Sequence, residues 1–300
     1  MSPKRDFTSP ARWANYLGMI GNRIQFTRHA LALVALALMI ASGHVMPASA
    51  GGSRGADAMR AEFRSGWTRA DGTHMAALHL HLAEGWMTYW RVPGESGLAM
   101  QMDWSGSGNV AGIEKHWPVP RVFVTNGYHT IGYRDELVLP IAITPTTPGH
   151  PMVLEATVTL GVCREVCIPV DMRLLAELAP GARSDPVIET ALADAPGRAL
   201  EAGLTGARCR LSPDERNRMR LSAELDLPST GGNERVILEV PGQDLRVRDL
   251  GTRRHGGVLQ AEALVQARKR TPLAVDRSQI RLTVLSDAGA VEHVGCTGFP

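Results

Sequence analysis

Short runs of alternating apolar and polar residues, separated by turns rich in glycine and proline, constrain the fold of this chain most strongly. From Ala76 to Leu82 every second residue is apolar, and the same pattern returns from Met152 to Leu160 and from Met219 to Leu225. A period of two is typical of strands with one buried face. Because no long helical run interrupts these segments, the sequence predicts an all-β chain, with an antiparallel sandwich followed by a second, smaller β-sandwich domain.

The sequence divides into four segments. Asp185 followed by Pro186 is typical of a helix start, because aspartate caps free backbone N–H groups and proline fits the first helical position. The predicted segments are an N-terminal extension and signal peptide at 1–50, a first β domain at 51–182, a helical linker at 183–203 and a second β domain at 204–300.

The first fifty residues have the pattern of a secretory leader. Arg23 and Arg28 precede an apolar run from Ala30 to Ala41, and Ala48-Ser49-Ala50 has the form of a cleavage site. The run is shorter than the ~18 apolar residues that a membrane helix needs, and no later run reaches that length. We therefore expect an exported protein without a membrane span after cleavage.

Charge argues against a nucleic-acid partner. The whole chain carries a formal charge of +2, but residues 1–50 hold five basic residues and one acidic residue. The remaining chain therefore has 27 basic and 29 acidic residues, a net charge of −2. Proteins that bind nucleic acids are usually strongly basic.

Cys163 and Cys167 lie four positions apart in a chain with four cysteines. On a straight strand such residues are roughly 13 Å apart, too far for a disulfide. A bridge therefore requires either a tight loop or one helical turn. Redox chemistry, a structural clip and thiolate ligation of a metal all remain open. Cys209 and Cys296, if paired, close most of the second domain, which favours a structural role worth about 4–5 kcal/mol.

Three residues beside the pair are candidates for tuning or docking. Arg164 offers a cation that favours a thiolate, whereas Glu165 opposes it, and both are equally well explained as solvated loop charges. Pro169 removes a backbone donor and so leaves an edge for a partner, or it simply ends a strand.

His79 and His81 lie on one face of a strand and can present two imidazoles to a metal. Such histidines more often line a solvated strand face. We therefore predict no metal site and no cofactor.

Four stretches follow one another along the first domain: Trp86 to Gly97, Trp117 to Arg121, Tyr133 to Pro140 and Gly161 to Pro169. As an ordered group they resemble the N-terminal periplasmic domain of the thiol:disulfide interchange protein DsbD. The resemblance covers roughly residues 63–178, and the second domain is similar to the extra segment of the ScsB-like branch.

The resemblance implies an immunoglobulin-like sandwich in which Cys163 and Cys167 are the redox-active pair. It also implies that Cys167 forms the mixed disulfide with periplasmic thioredoxin-like partners. Better-known members space the two cysteines more widely and continue into membrane helices and a thioredoxin-like domain, so we expect a membrane electron-donor protein acting in trans. The segment from Thr125 to His129 matches the family's cap loop but lacks its acidic and phenylalanine residues, and Tyr128 is the candidate shield.

The expected function is therefore a periplasmic relay of reducing equivalents by thiol–disulfide exchange. Two alternatives remain. One is a non-catalytic docking or adaptor protein whose disulfides are structural. The other is a copper-handling protein that uses Cys163 and Cys167, with histidine or methionine side chains.

Overall fold

The computed structural model describes residues 57–95, 97–125, 128–181, 183–215, 218–241, 245–267 and 275–299, all within one compact unit. The leader and its cleavage site lie outside these residues. Ten strands build the first sandwich: β1 (Met59–Thr68), β2 (His74–Leu82), β3 (Met87–Gly94), β4 (Gln101–Asp103), β5 (Val110–Lys115), β6 (Arg121–Thr125), β7 (Tyr128–Arg134), β8 (Glu136–Pro145), β9 (Met152–Cys163) and β10 (Cys167–Leu178).

Two antiparallel sheets face each other in the first sandwich. Sheet A has the strand order β1-β2-β8-β5, and sheet B has the order β10-β9-β3-β7-β6, with β4 paired to β9. Leu78 and Leu80 from sheet A and Leu154 and Leu160 from sheet B are fully buried in one core between them. The predicted all-β architecture of antiparallel, immunoglobulin-like sandwiches is thus confirmed.

The second sandwich follows a short helix, α1 (Pro186–Ala193), and also has two sheets. Sheet C has the order β11-β18-β17-β14, and sheet D has the order β12-β13-β16-β15. Their strands are β11 (Gly197–Arg198), β12 (Gly206–Asp214), β13 (Arg218–Asp226), β14 (Arg235–Glu239), β15 (Leu245–His255), β16 (Val258–Ala267), β17 (Arg281–Ser286) and β18 (Gly289–Val294). Cys209 and Cys296 form a disulfide with a Cα–Cα distance of 5.6 Å, which closes a span of 87 positions.

Helix α1 begins as its sequence indicates. The Asp185 carboxylate accepts a hydrogen bond from the backbone N–H of Val187 at 2.9 Å, and proline occupies the first turn. Ile188 and Ala191 pack against Ala77 on the outer face of sheet A. The linker helix therefore covers part of that face.

Strands β14 and β17 of sheet C are buried on both faces, because one face packs in the core of the second sandwich and the other against the first sandwich. Ile237 and Leu285 belong to the core of the first sandwich. An ion pair reinforces this apolar contact: Arg91 on β3 donates from Nε and Nη2 to the two carboxylate oxygens of Glu239, each at 2.9 Å, and also to Glu292. The two sandwiches are thus joined by packing and by a largely buried guanidinium.

The alternation of Leu137, Leu139 and Ile141 predicts one strand over 133–144, and the composition of 125–132 predicts a loop, but the structure differs at both segments. The segment 133–144, read as one strand, is interrupted at Asp135, whose φ of 67° lies in the left-handed region that aspartate tolerates better than most residues. The segment 125–132, read as a loop, belongs to an antiparallel hairpin of β6 and β7 in which Thr125 pairs with Tyr128. The Asn-Gly dipeptide between these two residues is a strong sequence signal for a hairpin turn, and the loop interpretation overlooked it.

Candidate functional site

The two closely spaced cysteines face each other at the end of the β9–β10 hairpin. Cys163 is the direct register partner of Cys167, with a Cα–Cα distance of 4.1 Å, and the two form a disulfide. Directly opposed residues in an antiparallel ladder are about 4.5–5.5 Å apart, so the ladder itself brings the sulfurs together. Of the two geometries that the spacing permits, the tight loop through 164–166 is correct and the helical turn is wrong.

The two cysteines differ in their exposure to solvent. Cys163 is 4% exposed, whereas Cys167 lies on the exposed side of the hairpin end, next to Val166, which is 71% exposed. A nucleophile from another protein can therefore approach the sulfur of Cys167 far more easily than that of Cys163.

A buried tyrosine hydroxyl contacts both sulfurs. The Tyr89 oxygen lies 2.8 Å from Cys163 Sγ and 3.1 Å from Cys167 Sγ. Because neither sulfur of a disulfide carries a hydrogen, the tyrosine O–H is the donor. Burial raises the pKa of Tyr89, so the hydroxyl keeps its proton at neutral pH. A protonated donor beside both sulfurs is suited to stabilising a thiolate at either one.

Two glycines leave room for the Tyr89 ring. A Cβ atom on Gly97 would lie 2.5 Å from Tyr89 Cδ1, and one on Gly161 would lie 3.1 Å from Tyr89 Cε2. The first distance is an outright clash with a ring that has little freedom to move, because Tyr89 is 2% exposed. Because glycine has no side chain, these two positions leave the space that the Tyr89 ring occupies between them.

An apolar wall completes the site around the buried sulfur. Met87, which is opposite Cys163 in the β3–β9 ladder, packs with Tyr89 and Phe123 around it. Phe123 lies on β6, where the Arg134 guanidinium is 5.0 Å from its ring centroid. Sequence reasoning missed both Tyr89 and Phe123. The β6 sequence Arg121-Val122-Phe123-Val124-Thr125 gave no signal for Phe123, because three consecutive apolar residues do not show which face of the strand is buried.

The β6–β7 hairpin that carries Phe123 is tied to the turn after β3. The backbone N–H of His129 donates to the Glu95 carboxylate at 2.8 Å, and this bond holds the pKa of Glu95 below its usual value. The backbone N–H of Glu95 donates in turn to the carbonyl of His129 at 2.9 Å. These two bonds join the hairpin that carries Phe123 to the end of β3, the strand that carries Tyr89.

The remaining residues proposed from sequence lie in the β9–β10 loop or on strands of sheet B. The Arg164 guanidinium is 5.6 Å from the ring centroid of Trp86, a cation–π contact, and Glu165 is exposed in the hairpin loop. Pro169 lies opposite Gly161 on β10, at the edge of sheet B, a position that suits a residue without a backbone donor. Tyr128 is 54% exposed at the start of β7.

Comparison with known proteins identifies the first sandwich. Residues 57–179 match the family described as thiol:disulfide interchange protein DsbD, N-terminal. These residues form a DsbD N-terminal-like domain. The match contains both cysteines of the hairpin and the tyrosine that contacts them. No curated protein matches the chain.

A solved structure extends the likeness beyond the DsbD N-terminal-like domain. The N-terminal periplasmic domain of ScsB from Proteus mirabilis is 25% identical to this chain, with a TM-score of 0.57. The alignment covers 81% of this chain and 92% of that one. The family match ends at residue 179, so the structural likeness continues into the second sandwich. Among the residues that the structure describes, no helix has the length and apolar character needed to cross a membrane.

Proposed function

We propose that this protein is an exported thiol–disulfide interchange protein that relays reducing equivalents from a membrane electron donor to periplasmic thioredoxin-like proteins. The single observation that carries the proposal is the cysteine pair of the DsbD N-terminal-like domain: one cysteine is exposed, the other is buried, and a tyrosine hydroxyl lies within 3.1 Å of both sulfurs. The periplasmic origin of the similar ScsB domain supports the location.

In the reducing half of the cycle, a donor thiolate attacks the sulfur of the exposed Cys167. The bond between Cys167 and Cys163 breaks, and Cys163 leaves as a thiolate. Exchange is faster when the leaving thiol has a low pKa. Tyr89, with its hydroxyl 2.8 Å from Cys163 Sγ, is positioned to donate to this developing charge. The donor's second thiol then releases Cys167, so the donor is oxidised to a disulfide and the pair is reduced to a dithiol.

In the oxidising half, the Cys167 thiolate attacks the disulfide of a thioredoxin-like partner. A mixed disulfide forms and one partner sulfur leaves as a thiolate. Cys163 then attacks Cys167 Sγ, which re-forms the internal disulfide and releases the partner's second thiol. Two electrons pass to the partner, and both its thiolates take protons from solvent.

Exposed apolar side chains on the cysteine hairpin and beside Gly161 offer a docking surface for these partners. Val166 precedes Cys167 in the hairpin, and Leu98, beside Gly161, is 40% exposed. Apolar side chains of this kind favour the core of a transient protein interface. Strand β10 pairs only with β9 among the described strands, so its outer edge adds backbone groups to which an extended partner segment can bond.

Mixed-disulfide trapping tests the relay. A reduced Cys163→Ala variant keeps the exposed Cys167 but lacks the resolving thiol, so it should accumulate a covalent complex with an oxidised thioredoxin-like periplasmic protein. The matched control is Cys167→Ala, which keeps only the buried Cys163 and should trap at least about tenfold less complex. Equal trapping by the two variants would contradict the assigned roles, and no complex with either would contradict the relay.

A redox titration of the pair separates the relay from the other interpretations. A potential well below about −300 mV would mark a structural bridge and support an adaptor role. A metal–thiolate absorption band that appears only when copper is added to the reduced protein would instead support copper handling at the cysteines.

A further inference from the structure

We propose that Glu62, His79 and His81 form a binding site for a divalent transition-metal ion of the zinc or copper type on the outer face of sheet A. This reverses the expectation from sequence that the two histidines bind no metal. The site uses none of the four cysteines, and it is separate from the exchange chemistry proposed above.

The three side chains converge through the strand register. Glu62 on β1 is the direct partner of His79 on β2, and His81 lies two residues further along the same face. Glu62 Oε1 is 3.8 Å from His79 Nδ1 and 3.8 Å from His81 Nε2. The three candidate ligand atoms all lie within 4.8 Å of one another. Ligand atoms around a tetrahedral zinc ion are about 3.4 Å apart, so a small adjustment closes the site.

His79 supplies the observation that points to a ligand. Its Nε2 lies 2.6 Å from a carboxylate oxygen of Glu136 on the neighbouring strand β8, and because a carboxylate only accepts, Nε2 carries the hydrogen. In the neutral ring this leaves a lone pair on Nδ1. That nitrogen is buried and has no hydrogen-bond partner among the described residues, and His79 as a whole is 4% exposed.

An unsatisfied buried polar atom destabilises the fold, and a bound metal ion would offset that cost. The hydrogen bond from Nε2 to Glu136 has the form of the carboxylate–histidine–metal arrangement, in which the outer carboxylate fixes the ring and its tautomer. Glu136 is therefore a positioning residue: it orients the His79 ring so that Nδ1 is available as the ligand atom.

The surroundings permit a cation to enter. Glu62 has 57% of its side chain exposed, so an ion can reach it from solvent and keep one or more water ligands. Arg64 Nη1 lies 3.9 Å from the same oxygen, Glu62 Oε1, but the Arg64 side chain is anchored to Asp185 through Nε at 2.7 Å. Two imidazoles and one carboxylate suit zinc or copper(II), whereas magnesium and calcium prefer sites made entirely of oxygen ligands.

Metal binding to the oxidised protein is the decisive test, because both cysteine pairs are then disulfides. Competition between the full oxidised protein and a chromophoric chelator for Zn²⁺ should show one site per chain. His81→Ala and Glu62→Gln should each weaken that site at least tenfold, and Glu136→Gln should weaken it about 10–100-fold. The matched control is His150→Ala, an exposed histidine in a loop, which should bind as the wild type does.

Copper(II) provides an independent spectroscopic measurement. Electron paramagnetic resonance of one equivalent of Cu²⁺ should show nitrogen coupling from two imidazoles, reduced to one in His81→Ala. Thermal unfolding without metal checks that the variants fold, and because Glu62 is largely exposed, Glu62→Gln provides a mild second variant. Three results would overturn the proposal: no binding by the oxidised wild type, wild-type affinity in both His81→Ala and Glu62→Gln, or binding that appears only after reduction.

Discussion

The two disulfides of this protein have the same covalent chemistry but different surroundings. Cys163–Cys167 spans four positions at the end of a hairpin, with one cysteine exposed and a tyrosine hydroxyl beside both sulfurs. Cys209–Cys296 spans 87 positions and joins the first strand of sheet D to the segment after the last strand of sheet C, with Cys209 fully buried. Chain separation and exposure, rather than the bond itself, therefore support the proposed roles: a structural disulfide at Cys209–Cys296 and a reactive pair at Cys163–Cys167.

The entropy that a disulfide removes from the unfolded chain allows the stabilisation by the two bridges to be compared. In the loop-closure description, a bridge over 87 positions stabilises the fold by about 4–5 kcal/mol, whereas one over four positions contributes about 2 kcal/mol. The shorter bridge therefore costs the fold less when it opens, as a bridge that cycles between oxidised and reduced forms requires.

The largest expected change in the free energy of unfolding comes from removing each disulfide in turn. Cys209→Ala with Cys296→Ala should lower the free energy of unfolding by about 4–5 kcal/mol, and Cys163→Ala with Cys167→Ala by about 2 kcal/mol. Urea denaturation of the oxidised proteins measures both, with the wild type treated with reductant as a reference. An equal decrease in the free energy of unfolding in the two double variants would contradict the distinction between a structural disulfide and a reactive one.

The ion pair between the sandwiches offers a second, smaller perturbation. Arg91→Met leaves the carboxylates of Glu239 and Glu292 without their guanidinium in a largely buried contact, and should cost about 2–3 kcal/mol. The matched control is Arg173→Met, which removes an exposed ion pair with Glu155 and should cost less than about 1 kcal/mol.

Thermal or urea unfolding measures these losses, and the reactivity of the Cys163–Cys167 pair provides the comparison. Arg91 acts on the contact between the sandwiches, so the rate of thiol–disulfide exchange in Arg91→Met should stay at the wild-type value at temperatures where the variant is folded. A changed exchange rate would show that the second sandwich influences the Cys163–Cys167 pair. The two sandwiches would then not act independently.

Local sequence patterns were enough to predict many of the strands and the reversal at the cysteine pair, but not the β6–β7 hairpin. The alternation through Leu78 and Leu80 indicates one buried face, and the four-position spacing of the cysteines limits the backbone to two shapes. The helix start at Asp185 was equally local. Each of these predictions depends on residues that are close together in the chain.

The environment of the sulfurs depends instead on long-range register. Tyr89 is 74 positions from Cys163, and the two meet because Met87 pairs with Cys163 in the β3–β9 ladder. Glu62 and His79 meet through the β1–β2 ladder in the same way. One sequence does not specify which strands become neighbours, so neither the tyrosine donor nor the histidine–carboxylate cluster was predicted.

Removing the tyrosine hydroxyl tests whether that long-range contact separates the two disulfides chemically. In Tyr89→Phe a developing thiolate loses a hydrogen bond, and bonds to charged groups contribute about 1.5–3 kcal/mol. The lower of the two thiol pKa values of the reduced pair should therefore rise by about 1–2 units. A pH titration of thiolate absorbance in the ultraviolet measures this shift.

Gly97→Ala should shift the same titration in the same direction, by a smaller amount, because the new Cβ atom displaces the Tyr89 ring without removing its hydroxyl. Gly257→Ala is the matched control, since a Cβ atom there meets nothing within 4 Å, and Tyr128→Phe controls for loss of a tyrosine hydroxyl elsewhere. Neither control should move the pKa. If Tyr89→Phe left the pKa of the reduced pair unchanged, access alone would distinguish the reactive bridge from the structural disulfide, and the tyrosine would serve only to pack the site.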